Sequence, residues 1–307
     1  MTSAALLAQT ALYAQPIDPV VERAWVKGAA RASYSPADFM AAEVPAASAA
    51  PISGNTPWAA AYAAELRRMV VDYANRSERN LQSHLGPSEI GHSCHRQVAG
   101  KLAHLEPINH VTDPWPSIMG VAGHAWMEGA FQSANRPGRI RFLTERRVTP
   151  TMGFEGHPGT GDGYDAETQS VLDHKFLGKT SMRKLRELGA PRHYFVQTLL
   201  YSLGFIALGL PVVRVALLAW PRTESSIDGL YVWEHPLTEA DFAFLRDVVE
   251  PELRYRKQWA AALLTGAAKL SDVPADTTDE CHFCPFYRPQ TARDGGPGCP
   301  GHATGQH

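Results

Sequence analysis

Asp173-His174-Lys175 closes a short apolar run that begins at Val171. It follows Gly159-Thr160-Gly161-Asp162-Gly163-Tyr164-Asp165 by one tight connection. Carboxylates placed this way supply hard oxygen ligands for magnesium or manganese. A lysine beside them can hold a scissile phosphate or help activate a water. Together these residue types can hydrolyse a phosphodiester with the help of a divalent metal. Alone, Asp-x-Lys is a short motif that also fits a surface hairpin with ordinary charges.

Strand side chains alternate between faces, so Asp173 and Lys175 share one face and His174 points the other way. Glu167-Thr168-Gln169-Ser170 reads as the turn of a hairpin. With an even loop, Ala166 pairs with Val171, Asp162 lies opposite Lys175, and Tyr164 lies opposite Asp173. Asp162, Asp173 and Lys175 then line one face, and Asp165 the other. An odd loop would exchange Asp162 for Asp165.

Two further spacings accompany the hairpin. Downstream, Gln197 and Tyr201 stand at i and i+4 of an amphipathic stretch, on one helix face. Upstream, Gly120-x3-His124-x3-Glu128 also falls on one helix face. In this order (helical histidine, strand aspartate, acid-x-lysine strand, Gln-x3-Tyr helix) the chain resembles the PD-(D/E)XK nucleases. It is most similar in pattern to the RecB-like iron–sulfur exonucleases, which include CRISPR-associated and phage-encoded members. His84-Leu-Gly-Pro-Ser-Glu-Ile-Gly91, followed by Cys94-His95-Arg96, also resembles the opening segment of the phage members. The resemblance spans residues 84 to 302, and the ordered combination is more specific than any one motif.

The resemblance implies an α/β (α+β) restriction-endonuclease-like core, a mixed sheet flanked by helices. It implies that Asp162 and Asp173 bind one or two Mg2+ or Mn2+ ions, with His124 and the backbone carbonyl of His174 as further ligands. Lys175 would orient or help deprotonate the attacking water, Gln197 would hold Lys175 or the water, and Tyr201 would touch the phosphate or a base. Glu128 and Glu145 are candidates for support.

The four cysteines form a second constellation. Cys94 stands alone, while Cys281-x2-Cys284 and Cys299 cluster near the C-terminus, the last after a Gly- and Pro-rich loop. Four thiolates suit a 4Fe–4S cluster or a structural zinc. The resemblance favours the cluster, with the cysteine-rich segment 278–307 clipped back onto the core. His95, His282 and His302 are spare candidate ligands. Nothing in the sequence directs the chain to an oxidising compartment, which counts against disulfides.

With 307 residues and 44% hydrophobic content, the chain can bury a sizeable core. A net charge of -2 and a pI near 6.7 argue against a nucleic-acid coat protein, but not against an enzyme with a local basic groove. No apolar run reaches the roughly 18 residues that span a membrane. The start lacks the basic region of a signal peptide. The expected location is cytoplasmic, that of the host if the gene is a phage's.

Residues 1–56 read as an N-terminal extension, with a helical segment over 20–31 and an Ala/Pro/Ser-rich linker over 40–55. Residues 57–307 read as the nuclease domain. Trp58, Tyr62, Leu66, Met69 and Tyr73 form an apolar stripe expected to pack in the core. Pro87 opens a helix expected to carry Cys94 and Arg96. Strands are expected over 141–148, the hairpin 158–176, 212–220 and 229–233, and helices over 179–188, 192–208 and 238–264, the last interrupted near Pro251.

The expected function is a metal-dependent DNA exonuclease acting on single strands or DNA ends in recombination, repair or processing. Its substrate partner would be DNA, contacted through residues such as Lys179, Arg183 and Lys184. The alternative is a catalytically silent DNA-binding or adaptor protein with a zinc- or cluster-stapled nuclease-like fold.

Overall fold

A computed structural model describes residues 57–76, 85–109, 113–276 and 281–301. The expected helix over 20–31, the linker and His302 lie outside the described residues. The fold below is that of the compact unit Ala61–His307.

Five strands form one mixed sheet: β1 (Phe142–Val148), β2 (Gly159–Asp165), β3 (Ser170–Leu177), β4 (Arg214–Pro221) and β5 (Tyr231–Pro236). They lie in the order β1-β2-β3-β4-β5. All neighbours are antiparallel except β3 and β4, which run parallel. A parallel pair needs a long crossover. Here it consists of α5 (Lys179–Leu188) and α6 (Arg192–Ala207). Gly189, at a positive φ of 79°, caps the first helix, and Pro191 is the N-cap of the second, where its missing N–H costs nothing.

The alternation along β3 assigns the two faces. Val171 and Leu177 pack toward α6 and α5, with Tyr201, Phe205, Met182 and Leu185. Leu172 and Phe176 pack on the opposite face, against Met127 and Phe131 of α4 (Trp115–Ser133). Gly123 of α4 sits so close to Phe176 that a Cβ there would lie 2.3 Å from the ring. A second core lies behind α6, where Val196, Leu199 and Leu200 meet Ile90, Val98, Val249 and Leu253. Every residue of α6 from Val196 to Phe205 is buried. Each large apolar side chain so covered contributes about 1.5–3 kcal/mol.

Several expected elements differ in detail. The helix opened by Pro87 is a single turn, α2 (Pro87–Ile90). The chain restarts at α3 (His95–Leu102), with Cys94 as its N-cap. The C-terminal helical stretch divides into α7 (Glu239–Phe244), a π-helical turn (Leu245–Val249) and α8 (Glu250–Leu264). Pro251, which cannot donate a main-chain hydrogen bond, stands just after the irregular turn. The last strand starts two residues late, because Ile227–Gly229 forms a 3-10 turn. The apolar stripe near the start lies on α1 (Pro57–Asn75), which buries none of its residues. Trp58 is 70% and Tyr73 67% exposed, so the stripe is not core packing. Among the described residues, no helix is long and apolar enough to cross a membrane.

Candidate metal centre and cysteine pocket

β2 and β3 are joined by a four-residue loop, with Asp165 paired to Ser170, Tyr164 to Val171 and Gly163 to Leu172. The loop is even, so the expected faces hold, but the register lies two residues from the expected one. Asp162 falls in line with Asp173 rather than with Lys175, and Tyr164 pairs with Val171. Pairing stops at Gly163, one residue short of the two aspartates. There the Asp162 carboxylate takes over a main-chain role: its Oδ2 accepts the N–H of His174 at 2.7 Å.

Asp173 is fully buried. Apart from Lys175, neither of its carboxylate oxygens has a hydrogen-bond partner among the described residues. Oδ2 has the charge contact with Lys175 Nζ, at 2.8 Å. A buried carboxylate with so few partners is costly. Lys175 in turn donates to Gln197 Oε1 at 3.0 Å and lies 4.5 Å from the centre of the Tyr194 ring. Burial alone would lower the lysine pKa, but Asp173 and Asp162 outweigh it and the ammonium is held charged. Burial first, then the charge of Asp173, raise the pKa of Asp162 well above the usual carboxylate range.

Gln197 and Tyr201 stand one turn apart on α6, as the spacing predicts. The Gln197 amide donates to the Tyr201 hydroxyl at 3.3 Å. Tyr201 is only 5% exposed, and burial raises its phenol pKa. Its hydroxyl is thus engaged with Gln197, although the spacing suggested a contact with phosphate or base. The His174 side chain lies on the α4 face, where its Nδ1 accepts the Trp220 indole N–H at 2.9 Å. Burial, then His124 and Lys175, lower its pKa to about 4.

His124 also approaches Asp162, at the oxygen that accepts the His174 N–H. Its Nδ1 is 3.6 Å from Asp162 Oδ2 and 4.0 Å from Glu145 Oε1. These separations exceed a hydrogen bond. Yet one ligand atom from each of His124, Glu145 and Asp162 lies within 4.8 Å of the others. Ligands at right angles around an ion at about 2.1 Å stand ~3 Å apart, so the three suit a shared divalent ion after a small contraction. Glu145 has a left-handed backbone (φ 45°) in the middle of β1, uncommon for a side chain of this type. Glu128 lies outside this group, with its Oε1 accepting from Gln132. Asp165 is tied up by Arg141 at 3.1 and 2.9 Å, and its pKa is lowered as that pairing overcomes burial.

Periodicity pointed to Asp162, Asp173, Lys175, Gln197 and Tyr201, and the structure brings them together. Glu145 entered only as possible support, since nothing local in Thr144-Glu145-Arg146 announces the turn of its backbone. Tyr194 was missed. Its signal was its place three residues ahead of Gln197, on the same helix face.

The four cysteines also converge. None is in a disulfide, and all line one pocket, together with Arg96 and Phe286. Residues 281–301 are docked on α3 and the chain after it. Phe286 packs on Gly100, where a Cβ would meet its ring at 2.5 Å. Asn109 donates to the carbonyls of His282 and Cys284 at 2.8 and 2.9 Å. Backbone N–H groups of Gln97, Asp276 and Arg96 act on the Cys94 sulfur, and that of Phe286 on Cys284. Burial nevertheless raises both thiols, Cys284 to about 12, so each needs a nearby cation to hold it as thiolate.

No three of the sulfurs lie within 4.8 Å of one another. A tetrahedral zinc with bonds of about 2.3 Å needs them ~3.8 Å apart. His95 and His282 do not line the pocket; His95 Nδ1 instead accepts from Arg256 at 3.1 Å.

No family model matches the sequence, and no curated protein matches it either. Among solved structures, the chain is similar to an alkaline exonuclease (LHK-Exo) from Laribacter hongkongensis. The alignment covers 60% of this chain and 93% of that one, with 12% identity and a TM-score of 0.42. A likeness this slight establishes no membership of a family.

Proposed function

We propose that this protein is a divalent-metal-dependent deoxyribonuclease, an exonuclease acting on DNA single strands or ends, and that its four cysteines hold a 4Fe–4S cluster. The observation that carries the reading is the buried Asp173. Lys175 is the one donor its oxygens meet among the described residues, and Asp173 stands in line with Asp162. A carboxylate is kept in that state where a cation completes it.

Asp162 and Asp173 would hold the divalent ion, with His124 and Glu145, which group with Asp162, as further ligands. In an extended strand the N–H and C=O of one residue point to the same edge. The His174 carbonyl therefore faces Asp162, as its N–H does, and can add an oxygen ligand. A divalent ion bound there would polarise the phosphate and lower the pKa of a water. An imidazole in the ligand set favours a first-row transition ion, so manganese should support activity better than magnesium.

Lys175 is the cation of the site, with its ammonium against Asp173. It positions the phosphate or the attacking water and offsets the charge that builds on the phosphate oxygens. Gln197 keeps Lys175 aimed, and Tyr201 keeps Gln197 aimed. For the cysteines, four thiols lining one pocket match the ligand count of a 4Fe–4S cluster, and the sequence resemblance favours it over zinc.

The test is digestion of end-labelled single- and double-stranded DNA with manganese, with magnesium and with chelator. Stepwise shortening that requires metal is expected. Intact DNA under all three conditions would leave only the silent, DNA-binding alternative.

A further inference from the structure

Arg96 stands two residues after Cys94 and is spread across the cysteine pocket. Its Nε donates to the carbonyl of Val273 at 2.9 Å, and its Nη2 to that of Ser271 at 2.9 Å. Its own backbone N–H donates to the carbonyl of Pro274, also at 2.9 Å. With the guanidinium pinned on that side, Nη1 points at the Sγ of Cys299, at 3.0 Å. The fork geometry is needed for this, because only a planar guanidinium can satisfy two carbonyls and a sulfur at once. The other donors acting on Cys94 and Cys284 are backbone amides. Arg96 adds a cationic side-chain donor to a sulfur of the pocket.

Building on the cluster reading above, we propose that Arg96 sets the reduction potential of the cluster through its charged hydrogen bond to Cys299. Reduction adds one electron, and the added negative charge spreads onto the cysteine sulfurs. A cation donating to one of those sulfurs stabilises the reduced form more than the oxidised form. The midpoint potential is therefore higher than the thiolates alone would give, hydrogen bonds to sulfur being one of the protein's controls on potential. Ligand and tuning residue come from one helical turn. Arg96 is a positioning residue, and it also closes the pocket by tying the 271–274 segment to α3.

The experiment compares the full chain, purified without oxygen, with Arg96→Gln and Arg96→Lys. Asn109→Ala serves as a control that loosens the Cys281–Cys284 turn without touching a sulfur donor. Iron and sulfide are measured first, and the potential is then followed by absorbance and electron paramagnetic resonance during titration with dithionite. At equal iron content, Arg96→Gln should shift to a lower midpoint potential, Arg96→Lys should fall between it and the native protein, and Asn109→Ala should be unshifted.

An unshifted potential in Arg96→Gln overturns the proposal. So does loss of the cluster from both Arg96 variants while Asn109→Ala retains it, because Arg96 would then be a structural tie alone. Absence of iron and sulfide from the native protein is a separate result. It overturns the cluster reading itself, and this inference with it, before any titration is made.

Discussion

Lys175 and Gln197 meet across the interface between β3 and α6, with the ammonium 3.0 Å from the amide oxygen. The contact joins the strand that carries Asp173 to a helix buried along ten consecutive residues, Val196 to Phe205. The lysine is therefore placed by the core of the molecule. A rigid setting of this kind is what a positioned charge requires.

Replacing Lys175 should act on turnover and on stability together. Lys175→Met should lower kcat by about 10²–10³-fold while DNA binding persists, since the charge is used at the reacting phosphate. It also leaves Asp173 buried without its one counter-charge, at a cost of about 3–5 kcal/mol in the metal-free protein. Manganese should recover part of that loss. Full cleavage by Lys175→Met would remove the catalytic reading.

Asp162 predicts a pH dependence of opposite sign to that of most carboxylates. Its folded pKa is raised, so between about 3.9 and the raised value the folded state binds more protons than the unfolded. This group's contribution therefore falls as pH rises through that window. Asp162→Asn removes the penalty. The metal-free variant should melt at or above the native temperature at pH 8 and lose the rise in Tm that manganese gives the native protein. A retained manganese shift would exclude Asp162 as a ligand.

Asp165 is the contrast. Its folded pKa is lowered by Arg141, so it stabilises the fold above its unfolded value, and that stability is lost as pH falls through the folded one. Asp165→Asn should cost about 1–3 kcal/mol at neutral pH, read by denaturant unfolding, with cleavage retained. Loss of cleavage at full stability would show that the wrong aspartate has been assigned to the site.

The cysteine pocket depends on a residue far from it in sequence. Arg256 is fully buried and donates to the carbonyls of Ile90 and His92 at 2.7 Å each, just ahead of Cys94. Arg256→Met should leave those carbonyls unpaired and cost about 3 kcal/mol or more. Protein purified without oxygen should be brown, with iron and sulfide. The variant should contain less of both, measured by metal and sulfide analysis, than an exposed-arginine variant such as Arg183→Met.

What the sequence by itself determined is local. The strand period of two placed Asp173 and Lys175 together and His174 opposite. The helix period placed Gln197 over Tyr201. Proline at 87, 191 and 251 marked breaks, because an imino acid lacks a donor wherever it stands. The Cys-x2-Cys spacing marked a tight turn that carries two thiols, and Cys281–Phe283 forms a 3-10 turn. Tertiary structure decided what depends on residues far apart in the chain. The hairpin register lies two residues from the expected pairing, a shift that keeps every side chain on its face and so leaves no trace in the pattern. Glu145 joins His124 and Asp162 because its backbone turns left-handed opposite β2, a choice made by packing and not by local preference. Tyr201 was legible as a site residue but not as a buried one, since exposure depends on what α2 and β2 lay over it. Arg96 meets Cys299 across 203 positions, and Arg256 meets Ile90 across 166. Contacts of that span follow from how helices pack, which no window along the chain contains.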